Sequence, residues 1–149
     1  MPRDFIDVEL RGLDRVLRAL DGLPRDADRE ARAGAVQLSR TLANAIRAAG
    51  RADTRQSARA SRSVRTQTRG NAPAVIAGPH PLLLGSEFGV RARFGWYRKA
   101  RYWHSEARQF RGRNTSGYWF FPTSKREMPA IRRAHQEMVD AIVADWSAR

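Results

Sequence analysis

The side chains able to perform acid–base, nucleophilic or metal chemistry are few in this chain and lie far apart. The histidines are His80, His104 and His135. None of them has a second ligand at metal-site spacing, and the absence of cysteine excludes disulfides and thiolate ligands. The carboxylates of residues 50–116 are Asp53, Glu87 and Glu106. Because they show no catalytic pairing and no serine lies in a nucleophile-elbow pattern, the sequence predicts no catalytic, cofactor-binding or metal site.

Arginine is the abundant chemical group, and its distribution along the chain is uneven. The formal net charge is +13. Residues 1–49 hold 9 basic and 8 acidic side chains, residues 50–116 hold 14 and 3, and residues 117–149 hold 5 and 4. The middle of the chain thus has a net charge of +11, whereas both ends are near neutral. This pattern indicates a basic platform that meets a partner.

Residues 90–116 combine basic and aromatic side chains in one long loop or insertion. The candidate interface residues there are Arg91, Arg93, Trp96, Tyr97, Arg101, Tyr102 and Trp103. Arginine, tryptophan and tyrosine are typical anchors of protein interfaces. The same composition also stacks nucleic-acid bases and neutralises phosphates, and intrachain packing is a third interpretation. Upstream, Arg55, Arg59 and Arg62 are spaced to line one helical face, which makes them interface candidates too.

The elements predicted for the N-terminal half are short strands around one long helix. Residues 4–10 alternate loosely and predict a strand, and residues 13–20 predict a short helix. An alanine-rich helix follows over residues 24–49, which we expect to end at a glycine stop. Residues 63–68 alternate like an exposed strand, and residues 72–77 predict a core strand.

In the C-terminal half, residues 82–89 form an apolar block, and we expect a structural turn at residues 85–89. Glu87 lies within it, and we expect this acid to pair with an arginine of its own chain or of an adjacent copy, fixing the turn. Residues 118–121 are four consecutive aromatics and predict a strand buried on both faces. A helix with a possible Ser124/Glu127 capping box then runs regularly over residues 129–147, and we expect His135 on its apolar stripe to be a core or interface residue.

The length of 149 residues fits one domain spanning residues 1–149. No apolar run approaches the roughly 20 residues that span a bilayer, so we expect no membrane partner. The N-terminus lacks a basic-then-apolar signal pattern, and we therefore expect a cytoplasmic protein.

The order of these elements resembles the small tail-component family of long-tailed bacteriophages, the tail-completion or neck proteins at the head–tail junction. The resemblance covers nearly the whole chain, and it departs at residues 52–55, where the family often has a Pro-x-Thr-Gly turn. The motifs that carry it are Leu84-Gly85-Ser86-Glu87-Phe88-Gly89 and Phe120-Phe121-Pro122-Thr123.

This resemblance implies an α+β fold in which a small mixed β-sheet is flanked by a long helix of the N-terminal half and a C-terminal helix, with long basic loops. It implies a structural virion protein rather than an enzyme, with no cofactor. Such proteins assemble as a ring, commonly of six subunits, between the connector or stopper and the tail tube, and double-stranded DNA passes through the lumen. The expected location is the virion, after assembly in the host cytoplasm. Tail-terminator and neck-collar roles stay open, and a free-standing basic nucleic-acid-binding module is the alternative.

Overall fold

Two long helices dominate the fold, and a small sheet and two short helices pack beside them. The computed structural model describes residues 6–9, 25–69, 72–89 and 110–148. The helices are α1 (Arg25–Asp53), α2 (Arg55–Ala60), α3 (Leu83–Phe88) and α4 (Phe120–Ser147), and the strands are β1 (Ile6–Glu9), β2 (Val64–Arg69) and β3 (Ala72–Ala77). The α+β class is confirmed. The helix predicted over residues 13–20 lies outside the described residues.

Helix α1 confirms the predicted alanine-rich helix but extends four residues beyond its expected end. Its buried stripe includes Ile46 and the alanines Ala27, Ala31 and Ala35, whose small side chains let the neighbouring elements approach closely. Gly50 is not the stop. The helix continues through Gly50, which is buried. Glycine is needed at this position because a Cβ would come within 2.8 Å of the Trp119 ring.

The sheet has the order β1-β3-β2, and both of its pairings are antiparallel. All three strands were predicted, but the mixed sheet implied by the resemblance is wrong for the described strands. Ile6, Val64 and Val75 turn into the hydrophobic core shared with the helices. Neighbouring Arg65 points the other way and is exposed, as alternation along a half-buried strand requires.

The aromatic stretch is not a strand, contrary to expectation. Trp119 is the N-cap of α4, and Phe120 is its first residue. Strand propensity reflects packing opportunities rather than an intrinsic backbone preference, and here a helical start buries both Trp119 and Phe120 in the core. The predicted Ser124 capping box is also wrong, because Ser124 lies one turn inside the helix and its hydroxyl donates to the Phe120 carbonyl at 2.9 Å.

Helices α1 and α4 run antiparallel. A Cβ at Gly50 would meet Trp119, whereas one at Gly34 would come within 3.2 Å of the Met138 Cγ, so the chain direction reverses between the two helices. The predicted apolar stripe of α4 is confirmed, since Ile131, His135 and Ile142 are buried. Within the described residues, no helix is both long enough and apolar enough to cross a membrane.

Candidate functional site

The candidate site is built around the carboxylate of Glu87, which caps the start of α4. Its Oε2 accepts hydrogen bonds from the backbone N–H groups of Trp119 at 3.0 Å and Phe120 at 2.8 Å. Its Oε1 accepts from the N–H of Phe121 at 2.9 Å. The side chain is 0% exposed. A negative charge held at a helix N-terminus meets both the unpaired N–H groups and the positive end of the helix dipole.

The next two residues of the first turn need no acceptor from Glu87. The third helical residue is Pro122, which has no N–H to satisfy. The Thr123 N–H already reaches the Trp119 carbonyl at 3.4 Å. Glu87 therefore accepts from every N–H of the first turn that lacks a partner within the helix. The expected arginine partner is wrong for the described residues, since the three donors are backbone groups. The turn expected at residues 85–89 is instead part of the short helix α3, which ends at Phe88.

Gly117 allows the carboxylate to approach the backbone. A Cβ at this position would collide with the Glu87 Oε1, and the residue has φ +82°, a conformation that L side chains rarely adopt. Aromatic side chains next to the cap pack against one another. The ring centroids of Phe88 and Phe121 are 5.7 Å apart, and those of Trp119 and Phe120 are 5.8 Å apart. A buried carboxylate whose oxygens are engaged by three donors acts as an anchor rather than as an acid–base catalyst.

A second contact ties the loop before α4 to the end of α1. Arg111 forms an ion pair with Asp53, and its guanidinium carbon lies 4.3 Å from the centroid of the Tyr118 ring. The Tyr118 hydroxyl donates to the Gly112 carbonyl at 2.8 Å. Asp53 also accepts from the Ser57 hydroxyl at 3.0 Å, so one carboxylate joins α1, α2 and this loop. Sequence reasoning missed this cluster, because 58 residues separate Asp53 from Arg111.

The two ends of the basic aromatic insertion meet at one place. The Asn114 N–H donates to the Phe88 carbonyl at 2.8 Å. A Cβ at Gly89, which has φ +69°, would come within 2.6 Å of the Arg111 carbonyl oxygen. The chain thus leaves the fold and re-enters it at adjacent points. The seven interface candidates between Arg91 and Trp103 lie outside the described residues.

Because these ends meet, we expect the described fold to form without residues 90–109. Replacing them with a four-residue Gly/Ser linker should leave the melting temperature unchanged or slightly higher, since a shorter loop costs about 1 kcal/mol less closure entropy. Far-UV circular dichroism and thermal melting measure this. The same linker with Gly89→Ala is the matched control and should melt lower, because its Cβ meets the facing carbonyls. An unfolded linker variant would contradict the prediction.

Three of the predicted interface arginines are exposed and close in sequence, and we name them the arginine ridge: Arg55, Arg59 and Arg62. Thr54 starts helix α2 with a capping box, its Oγ1 accepting from the Ser57 N–H at 3.1 Å. Arg55 and Arg59 are thereby placed one turn apart on the outer face, and Arg62 follows in a 3₁₀ turn. Residues 54–69 contain five arginines and no acid. Within the described part of the chain, no carboxylate pairs with the ridge.

The two histidines of the described residues, His80 and His135, are at least partly buried. Burial, followed by the nearby Arg59 charge, lowers the pKa of His80, whose Nδ1 accepts the Leu82 N–H at 3.2 Å. Burial also lowers the pKa of His135, which packs on the inner side of α4. No group of three histidine or acidic side chains able to hold a metal ion occurs among the described residues.

Comparison of the chain with protein-family models, with curated proteins and with solved structures found no match.

Proposed function

We propose that this protein is a structural virion protein that forms a ring at the head–tail junction or tail terminus of a long-tailed bacteriophage. The observation that supports this proposal most is the meeting of its two family-like motifs. Glu87 of the first motif caps the helix that the second motif begins, through hydrogen bonds to Trp119, Phe120 and Phe121. Two short motifs 30 residues apart thus act as one structural unit, which explains why they occur together at this separation.

The buried carboxylate also favours a scaffold over an enzyme. Glu87 is the one carboxylate among the described residues that is fully buried, and backbone donors occupy its oxygens. The cap stabilises α4 rather than offering a reactive group to a substrate. In the proposed ring the subunits present their arginine-rich surfaces to protein: adjacent subunits, the connector or stopper, and the tail tube.

The charge of the ridge raises the question of whether it grips DNA. Six subunits each neutralising two phosphates would make about 12 contacts and give a salt slope of roughly −11. A genome held that strongly would leave the particle slowly. A conduit needs weak contacts with the DNA that passes through it, so we favour protein partners over lumen DNA for the arginines of the ridge. The free-standing nucleic-acid-binding module remains the second candidate, favoured by the exposure of the ridge, whose arginines have no acidic partner among the described residues.

A salt series separates these two functions. We expect the isolated protein to bind duplex DNA weakly in a filter assay, with a slope of log Kobs against log salt no steeper than about −3, the limit for three arginine–phosphate contacts. The triple variant Arg55→Gln, Arg59→Gln, Arg62→Gln is the control for the ridge. Tight duplex binding by the isolated protein, with a slope much steeper than −3, would favour the free-standing nucleic-acid-binding module over the ring proposal.

Electron microscopy of the native particle tests the ring itself. The proposal predicts density for this chain as a closed ring between the connector and the tail tube, with the ridge against protein. Absence of the chain from purified particles, or density with the ridge along the lumen wall against DNA, contradicts it.

A further inference from the structure

The charges of α4 are separated along its length. Residues 120–133 hold four basic and one acidic side chain, whereas residues 134–148 hold three acidic and no basic ones. The first turn has no acid and the last turn has no base. This placement opposes the helix dipole, which favours acids at the N-terminus and bases at the C-terminus. Helix stability therefore does not explain it, and a charge pattern that breaks a local rule points to a partner.

The packing of α4 against α1 places the acidic and basic halves of α4 beside opposite ends of α1. Because α1 and α4 are antiparallel, the acidic half of α4 lies beside the start of α1, at the level of Gly34 and Met138. The basic half begins beside the end of α1, where Gly50 faces both Trp119 and Ser61, the residue before Arg62. Residues 34 and 50 are separated by about 24 Å along α1, at about 1.5 Å per residue. Among the described residues, the arginine ridge and the acidic half of α4 thus lie toward opposite ends of α1.

The acidic side of α4 is exposed to solvent. Glu137 and Asp140, which we name the acidic face, are both exposed, and Asp140 accepts one hydrogen bond from the Gln136 amide at 2.8 Å. No arginine or lysine of the described residues forms an ion pair with either carboxylate. Since charges more than about 10 Å apart are screened at 0.1 M salt, the ridge does not stabilise this face within one subunit.

We propose that the arginine ridge of one copy docks on the acidic face of the next copy, head to tail. This inference rests on the proposed ring and names the surfaces that build it. A head-to-tail contact needs two different and complementary surfaces on every subunit, and its repetition closes a ring when the rotation allows. The opposite ends of this subunit supply such a pair. Exposed ion pairs are weak, so the isolated protein associates measurably only at high concentration and low salt.

Charge reversal tests the contact. The ridge variant is Arg55→Glu with Arg59→Glu, and the face variant is Glu137→Arg with Asp140→Arg. Arg40→Glu, at an exposed position of α1 between the two ends, is the matched control. Thermal melting first checks that each of these surface variants is folded. Sedimentation velocity in 25 mM and 300 mM salt then measures association.

The wild-type chain and Arg40→Glu are expected to associate in 25 mM salt. Their association constants should fall at least tenfold in 300 mM salt. Each reversed variant alone should lose at least tenfold in 25 mM salt. An equimolar mixture of the ridge and face variants should regain association, because each then finds an opposite charge on the other. A wild-type chain that stays monomeric in 25 mM salt, or a mixture that does not recover, overturns the inference.

The proposed function and this inference fail separately. A ring seen in the particle whose assembly tolerates both reversed variants leaves the function intact and removes the ridge–face contact. A chain absent from the particle removes the function, whatever its association in solution.

Discussion

Replacing Glu87 with glutamine is expected to lower the free energy of unfolding by about 2–4 kcal/mol. The carboxylate accepts three backbone N–H groups, and glutamine keeps one acceptor oxygen while turning an amide NH₂ toward donors. The variant also loses the negative charge at the helix N-terminus. Urea denaturation measures the free energy of unfolding, and thermal melting should show a fall of roughly 5–15 °C for a domain of this size.

Glu127→Gln is the matched control, since it removes a carboxylate from the same helix. Glu127 pairs with Arg126 at 3.0 Å on the surface, where an ion pair contributes about 0–1 kcal/mol. We expect this variant to melt like the wild-type chain. Equal stability of Glu87→Gln and Glu127→Gln would show that the buried cap contributes nothing.

Truncating Phe120 to alanine is expected to cost about 3–5 kcal/mol, enough to unfold a marginal domain. The side chain is 0% exposed and packs in the core, with its ring centroid 5.8 Å from Trp119 and 5.6 Å from Phe121. Removing it leaves a cavity under the cap that Glu87 forms. Chemical denaturation, or loss of soluble protein on expression, measures this effect.

Two further truncations calibrate the result. Phe121→Ala should cost less than Phe120→Ala, because its side chain is only partly buried. Val143→Ala should have little effect, since Val143 is 43% exposed on α4 and alanine is the better helix former. A Phe120→Ala variant as stable as Val143→Ala would place the core elsewhere.

The elements with a clear internal period were predictable. The alanine stripe of α1, the apolar stripe of α4 and the alternation of β2 are local patterns, and each element formed about where its pattern lies. The exposed positions of Arg55 and Arg59, one turn apart on α2, follow from their spacing in the same way, whereas their role at an interface stays a prediction.

The start of α4 was not predictable from its own residues. Four aromatics before a proline favour a strand locally, and the helix begins there because a carboxylate 33 residues earlier satisfies its N–H groups. The role of Glu87 was not predictable either. An acid in an apolar block of a basic region suggests an arginine partner, but in the fold its carboxylate binds three backbone N–H groups. The ion pair of Asp53 with Arg111 and the antiparallel sheet also depend on residues distant in sequence.

The sequence by itself determined the two long helices, the strands of the sheet and the basic middle region, because these follow from side-chain period and charge along the chain, while the α+β class was implied by the resemblance. Only the tertiary structure decided where α4 begins, what Glu87 binds and which charges share an end of the molecule. Hydrogen bonds to a helix terminus and the alignment of antiparallel helices join residues that no local pattern relates.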